Sequence, residues 1–189
     1  MALMRREPIA EGLEGEGVWL RAPRYEDFEA WARLRARSRA FLTPWEPSWP
    51  PDDLTRPAFR RRLRRYARDI REGLAYPFFV FRAEDQALAG GCNLSNIRRG
   101  VQQTASLGYW VGDPFKRRGL MRAAVTAVLE YAFTDLGLNR IEAACIPCNE
   151  PSKALLEALG FRLEGCARRY LKINGAWRDH LLYAKLRGD

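Results

Sequence analysis

The sequence predicts an α+β fold built around a mixed sheet, and three observations predict it. Three extended segments between residues 76 and 111 are separated by turn residues, which is the pattern of an antiparallel meander. A long stretch from Gly119 to Leu136 then carries an apolar stripe at helical spacing and is followed by a further extended run. Two extended runs at the C-terminus flank Asn174-Gly175, a dipeptide suited to the positive backbone angles of a tight hairpin. With 189 residues, 47% of them apolar, and no repeat, low-complexity tract or linker, residues 1–189 are expected to form a single domain.

In chain order, Met1 to Glu16 is charged and punctuated by glycine, and is expected to be a loosely ordered arm. Val18 and Leu20 alternate within Gly17 to Arg21, a short first strand that Pro23 stops. Asp27 suits the first turn of a helix whose Phe28, Trp31 and Leu34 recur every three residues. The segment Phe41 to Leu54, FLTPWEPSWPPDDL, holds four prolines and reads as an aromatic-rich loop. Phe59, Leu63, Tyr66, Ala67 and Ile70 then form a helical stripe, with Arg60, Arg61, Arg62, Arg64, Arg65 and Arg68 between them. Such a basic run is either a solvated face or a surface for RNA or an acidic partner. The meander consists of Tyr76 to Arg82, Ala87 to Ile97 and Thr104 to Val111. After the long helix, Arg140 to Ile146 reads as a strand. Asn149 opens a short helix closed by Gly160, and Leu163 to Lys172 with Trp177 to Lys185 make the final hairpin.

Composition limits the chemistry. No apolar run approaches eighteen residues and the start does not resemble a signal peptide, so a cytoplasmic protein without membrane association is expected. Cys145 and Cys148 have C-x-x-C spacing, but there is no second pair and His180 is the one histidine, which argues against a metal site. The four cysteines, with Cys92 and Cys166, are expected as reduced thiols packed like small apolar side chains. A formal charge of +9, from 32 Lys and Arg against 23 Asp and Glu, favours polyanions: RNA, ribosomal particles or a phosphorylated cofactor.

The stretch richest in chemistry runs from the strand Leu107–Val111 through Lys116-Arg117-Arg118-Gly119-Leu120-Met121 into the long helix. A glycine at a helix start lets a ligand approach the backbone, and the unpaired amides of the first turn with the positive end of the helix dipole favour phosphate. The expected ligand is a pyrophosphate.

At these residues the sequence resembles the GNAT superfamily of N-acetyltransferases. Their pyrophosphate motif is Arg or Gln, two residues, Gly, one residue, then Gly or Ala. Here Lys116 takes the first position, Gly119 the glycine and Met121 the last. FLTPWEP (Phe41 to Pro47), NLSNIRRG (Asn93 to Gly100), LGYWV, RRGLM (Arg117 to Met121) and YLKINGAWRDH (Tyr170 to His180) are similar to the branch that acetylates the N-terminal alanine of a small-subunit ribosomal protein. The resemblance implies a mostly antiparallel sheet of about seven strands flanked by about four helices, acetyl-CoA as co-substrate, no metal, and a protein N-terminus as acceptor. A small-molecule amine as acceptor, or a ribosome-assembly role through RNA binding, stays open, as does the choice between monomer and homodimer.

The resemblance also implies site residues. The backbone from Arg117 to Arg122, including Arg118 and Leu120, would cradle the pyrophosphate, while Trp110 and Val111 would pair with the pantetheine arm. Asn149 would lie beside that arm and Ser152 would be the proton donor, although local propensity alone would make Asn149 a helix cap. Many superfamily members carry a tyrosine acid four residues before the Gly160-Phe161 pair; here that position is Leu156. An α-amine with a pKa of ~7.7 to 8.0 needs little help to lose its proton. Glu46 is the first candidate to hold the amine and Asp179 the second, against the plainer readings of a loop charge and a structural partner of an arginine. His180 alternates onto the face opposite Asp179 and reads as structural or surface. Trp45, Trp49 and Tyr170 would wall the acceptor groove.

Overall fold

The computed structural model describes residues 12–189. Eight strands form one sheet: β1 (Leu13–Gly15), β2 (Val18–Arg21), β3 (Tyr76–Arg82), β4 (Leu88–Arg98), β5 (Thr104–Val111), β6 (Arg140–Cys145), β7 (Arg162–Ile173) and β8 (Ala176–Leu186). Five helices accompany them: α1 (Phe28–Arg37), α2 (Arg39–Leu42), α3 (Arg56–Arg71), α4 (Leu120–Thr134) and α5 (Glu150–Ala158). The spatial order is β1-β2-β3-β4-β5-β6-β8-β7, antiparallel throughout except for the parallel pair β5–β6. The α+β expectation holds, with one more strand and one more helix than the sequence suggested. The extra strand is β1, which pairs with β2 from Leu13↔Leu20 to Gly15↔Val18. That corrects the arm expected over residues 1–16 at residues 13–15; residues 1–11 lie outside the described residues. The extra helix is α2, a single turn leading into the proline-rich loop.

Both faces of the central strands are covered, which explains β3. Its residues are apolar without alternation because Tyr76, Phe78 and Val80 enter one core while Phe79 and Phe81 enter the other. The larger core lies under α4 and α5 and includes Val125, Val128, Leu156, Phe161 and Tyr183. The smaller lies under α1 and α3, where Phe28, Trp31 and Phe59 pack ring against ring at centroid distances of 4.9–6.4 Å. Each such buried aromatic contributes on the order of 2 kcal/mol. Asp27 precedes α1, where it accepts from both Arg21 nitrogens at 2.7 and 2.5 Å and from the Arg24 amide at 2.6 Å, tying the helix entry to β2. At the C-terminus, Asn174 and Gly175 take φ of 45° and 79°, as the hairpin turn requires.

The arginine face of α3 is less free than its sequence suggests. Arg56 pairs with Glu29, Arg61 with Asp52, Arg62 with Asp53 and Arg68 with Asp69, while Arg60 donates to the Tyr25 hydroxyl. Carboxylates from the loop before α3 and from α1 thus pair with three of the helix's eight arginines, and Asp69 of α3 itself pairs with a fourth. The cysteines divide: Cys92 and Cys145 are buried, whereas Cys148 and Cys166 are exposed, so only two of them pack as small apolar side chains.

Candidate functional site

The parallel pair β5–β6 ends early, and that creates the site. Their last matched residues are Leu107 and Ala143. Beyond them β5 runs on to Val111 against β4, while β6 runs on to Cys145 against β8, so the strands part and leave a gap in the sheet. Backbone groups alternate sides along a strand, and the Gly112 amide donates to the Ala89 carbonyl on β4 at 2.8 Å. The groups of Tyr109 and Val111 therefore face the gap, without a strand partner there. Those of Trp110 face β4, where its carbonyl leaves no room for a Cβ on Gly90. This corrects the expected pairing role of Trp110: its backbone is already engaged, and Tyr109 with Val111 offers the free edge. An extended amide-bearing chain fits that edge.

At the head of the same gap lies the start of α4. Arg117 and Gly119 both have positive φ, 59° and 76°, which turns successive amides toward one side. Gly119 is the N-cap and no side chain caps the helix; the first internal bond runs from the Ala123 amide to the Gly119 carbonyl at 3.1 Å. Among the described residues, no acceptor meets the amides of Arg117 to Arg122. A Cβ on Gly119 would meet nothing within 4 Å, so the space in front of the helix is open. Arg117, Arg118 and Arg122 form no ion pair among the described residues, whereas Lys116 is held by Asp113 at 2.6 Å and lies 5.2 Å from the Phe41 ring centroid. A row of free amides at the positive end of a fifteen-residue helix, with unpaired arginines around it, fits a diphosphate.

Across the gap, α5 begins at Asn149, whose Oδ1 accepts from the Ser152 amide at 3.3 Å. Asn149 is thus a helix cap, and its side-chain NH2 has no partner among the described residues. The Ser152 hydroxyl lies 2.6 Å from the Tyr109 hydroxyl. Burial pushes the Tyr109 phenol well above its ordinary range, so it keeps its proton. Burial likewise raises the Cys145 thiol at the end of β6. Tyr109 is the residue that sequence reasoning missed; the available signal was its place on the same face as Ala105 and Leu107. Leu156 is fully buried in the larger core.

The loop after α2 is braced by one buried cation. Arg35, 7% exposed, gives both terminal nitrogens to Glu46 at 2.7 and 2.6 Å, and its guanidinium lies 4.0 Å from the Trp49 centroid and 4.9 Å from that of Trp110. Trp49 also donates to Glu46 at 2.7 Å, and the Glu46 carbonyl accepts from the Asn174 amide at 2.9 Å, joining this loop to the tip of the β7–β8 hairpin. Both Glu46 oxygens are therefore occupied. Asp179 accepts from the Arg169 amide at 2.8 Å, within the irregular stretch of β7, so its partner is an arginine's backbone and not its guanidinium. His180 is buried, with Nδ1 3.1 Å from the Arg178 carbonyl and its ring 5.8 Å from that of Tyr170. Tyr170 is half exposed on the hairpin, and Trp45 is half-buried in the single 3-10 turn Thr43–Trp45. Among the described residues no helix is long and apolar enough to cross a membrane, and no three His, Cys, Asp or Glu side chains cluster as metal ligands.

Known proteins share this fold. Residues 18–162 match the family described as the acetyltransferase (GNAT) domain. A [ribosomal protein uS5]-alanine N-acetyltransferase of Escherichia coli is 37% identical over 160 residues, covering 84% of this chain and 82% of the relative. Among solved structures, the ribosomal-protein-S5-alanine acetyltransferase of Vibrio fischeri superposes with a TM-score of 0.87 at 35% identity, covering 94% of this chain and 97% of that one. RimJ of Mycobacterium smegmatis, in complex with CoA-disulfide, superposes with a TM-score of 0.86 at 35% identity over 93% of this chain and 85% of that one.

Proposed function

Given that this chain belongs to the GNAT acetyltransferase family and is an acetyl-CoA-dependent N-acetyltransferase, we propose that its acceptor is the N-terminal amine of a protein, an alanine on a small-subunit ribosomal protein. The observation that supports this acceptor most is the similarity, over most of the chain, to enzymes of that specificity. Such an acceptor is a cytoplasmic one.

Acetyl-CoA supplies an activated acyl group on a thioester. The chain's own residues hold, orient and stabilise. The amides from Arg117 to Arg122 hold the diphosphate, with Arg117, Arg118 and Arg122 adding charge and Lys116 tempered by Asp113. The gap-facing groups of Tyr109 and Val111 pair with the pantetheine amides, and the Val111 N–H stabilises the oxygen that gains charge during transfer. Asn149 directs its free NH2 along the same arm, and Ser152 gives a hydrogen bond to the departing sulfur. Trp45, Trp49 and Tyr170 wall the acceptor groove. Glu46 and Asp179 act mainly as braces, since each carboxylate is already bonded, and the amine releases its proton to water.

Intact-mass measurement tests the acceptor. A synthetic peptide beginning with alanine should gain one acetyl group at its α-amine while spermidine and free amino acids do not. Acetylation of the free amines alone would replace the protein acceptor with a small molecule.

A further inference from the structure

We propose that Tyr109 is a positioning residue for acetyl transfer: its hydroxyl donates to Ser152 Oγ and so frees the single Ser152 O–H to point at the departing sulfur. The proposal rests on the role given to Ser152 above.

The geometry carries it. The two oxygens are 2.6 Å apart, and the Tyr109 hydroxyl has no closer partner; the Ser152 carbonyl is 3.5 Å away. A serine hydroxyl has one proton and can also accept. If Ser152 donated to Tyr109, its proton would be consumed within the protein. With the tyrosine as donor, the serine proton remains for a third group. Two elements impose this contact from different directions: β5 brings the phenol to the edge of the gap, while the Asn149 cap sets the first turn of α5 and with it the serine backbone. A two-point constraint of this kind holds a small, rotatable hydroxyl in one rotamer, which serine alone does not ensure.

During transfer a C–N bond forms to the amine and the C–S bond breaks, with its electron pair going to sulfur. The sulfur accepts the Ser152 hydrogen bond as charge builds on it. The nitrogen proton leaves to water, and Tyr109 keeps its own proton throughout. Its contribution is direction, equivalent to one well-placed hydrogen bond.

Tyr109→Phe removes the hydroxyl and keeps the ring that packs on the larger core. We expect kcat to fall about tenfold, with KM for acetyl-CoA unchanged within about twofold and the melting temperature nearly unchanged. Ser152→Ala should lower kcat by at least as much, and the double variant should be no slower than Ser152→Ala alone, because the tyrosine acts only through the serine. Incorporating 3-fluorotyrosine at position 109, which retains a hydroxyl, should leave kcat within about twofold of wild type. Wild-type kcat in Tyr109→Phe, or a double variant slower by the product of the two single factors, overturns the proposal while leaving Ser152 in place. Wild-type kcat in Ser152→Ala overturns both the proposal and the reading beneath it. Should Tyr109→Phe melt early, kcat of all the variants is compared at a temperature where each remains folded, and the same outcomes decide.

Discussion

Arg35 and Glu46 offer the sharpest separation between a brace and a base. Arg35→Met removes two charge-assisted hydrogen bonds and two indole contacts while filling much of the same volume, and it leaves a carboxylate whose side chain is 19% exposed. Breaking a fully buried ion pair costs about 3–5 kcal/mol, and the partial access of Glu46 to water brings the figure to about 2–3 kcal/mol. For a chain of 189 residues that corresponds to a fall in melting temperature of roughly 4–12 °C. Glu46→Gln should cost a similar amount, because an arginine cannot shed its charge and would be left buried among tryptophans. The double variant should lose distinctly less than the sum of the singles, as partners in one pair do. Thermal melts of all four proteins give the coupling, and steady-state acetylation of an N-terminal peptide at a temperature where each remains folded gives the activity. If both singles raise KM for the peptide similarly and spare kcat, Glu46 is a brace for the loop. A folded Glu46→Gln enzyme with kcat abolished, beside an Arg35→Met enzyme with kcat retained, would refute the reasoning.

Two further outcomes follow from groups elsewhere. Tyr131, whose ring packs edge-to-face with Tyr76 and Phe78, carries a buried hydroxyl without a partner among the described residues, so Tyr131→Phe should raise the melting temperature by roughly 2–4 °C, for about 1 kcal/mol; a clear fall would mean the hydroxyl is satisfied. Asp85, in the turn between β3 and β4, is depressed from its ordinary 3.8 to about 2 by the hydrogen bond from Arg82 and then by that from the Ala87 amide. A depressed carboxylate stabilises the fold above its unfolded pKa and loses that contribution as pH falls through the folded one, so Asp85→Asn should flatten the melting profile between about pH 4 and 2. Parallel acid limbs for the two proteins would contradict this.

Much of the fold was legible because its periodicities are strong. The apolar stripe of α4, the three-strand meander of β3 to β5 and the Asn174-Gly175 turn each follow from local rules, and the structure keeps them. The open turn ahead of α4 was legible for the same reason: Gly119 at a helix start is a local feature. What stayed hidden depends on tertiary contact. The pairing of the α3 arginines requires knowing that Asp52, Asp53 and Glu29 lie beside them. The occupation of Glu46 by Arg35, eleven residues earlier, depends on how the proline-rich loop folds back. Tyr109 reads as an ordinary strand tyrosine until α5 is placed against it, and the engagement of the Trp110 backbone follows from which side of β5 is paired. Leu13–Gly15 was missed because a three-residue strand rich in Glu and Gly has almost no pattern of its own.

Calorimetry with Gly119→Ala tests the diphosphate cradle most directly. The new methyl group enters open space and the positive φ costs the apo protein only about 1 kcal/mol, so folding should survive. A ligand resting on the helix amides would meet that methyl group at once. We predict that wild type binds CoA, that folded Gly119→Ala binds it at least about tenfold more weakly, and that affinity for pantetheine, which lacks the diphosphate, is the same in both. CoA affinity unchanged in the folded variant would contradict the account.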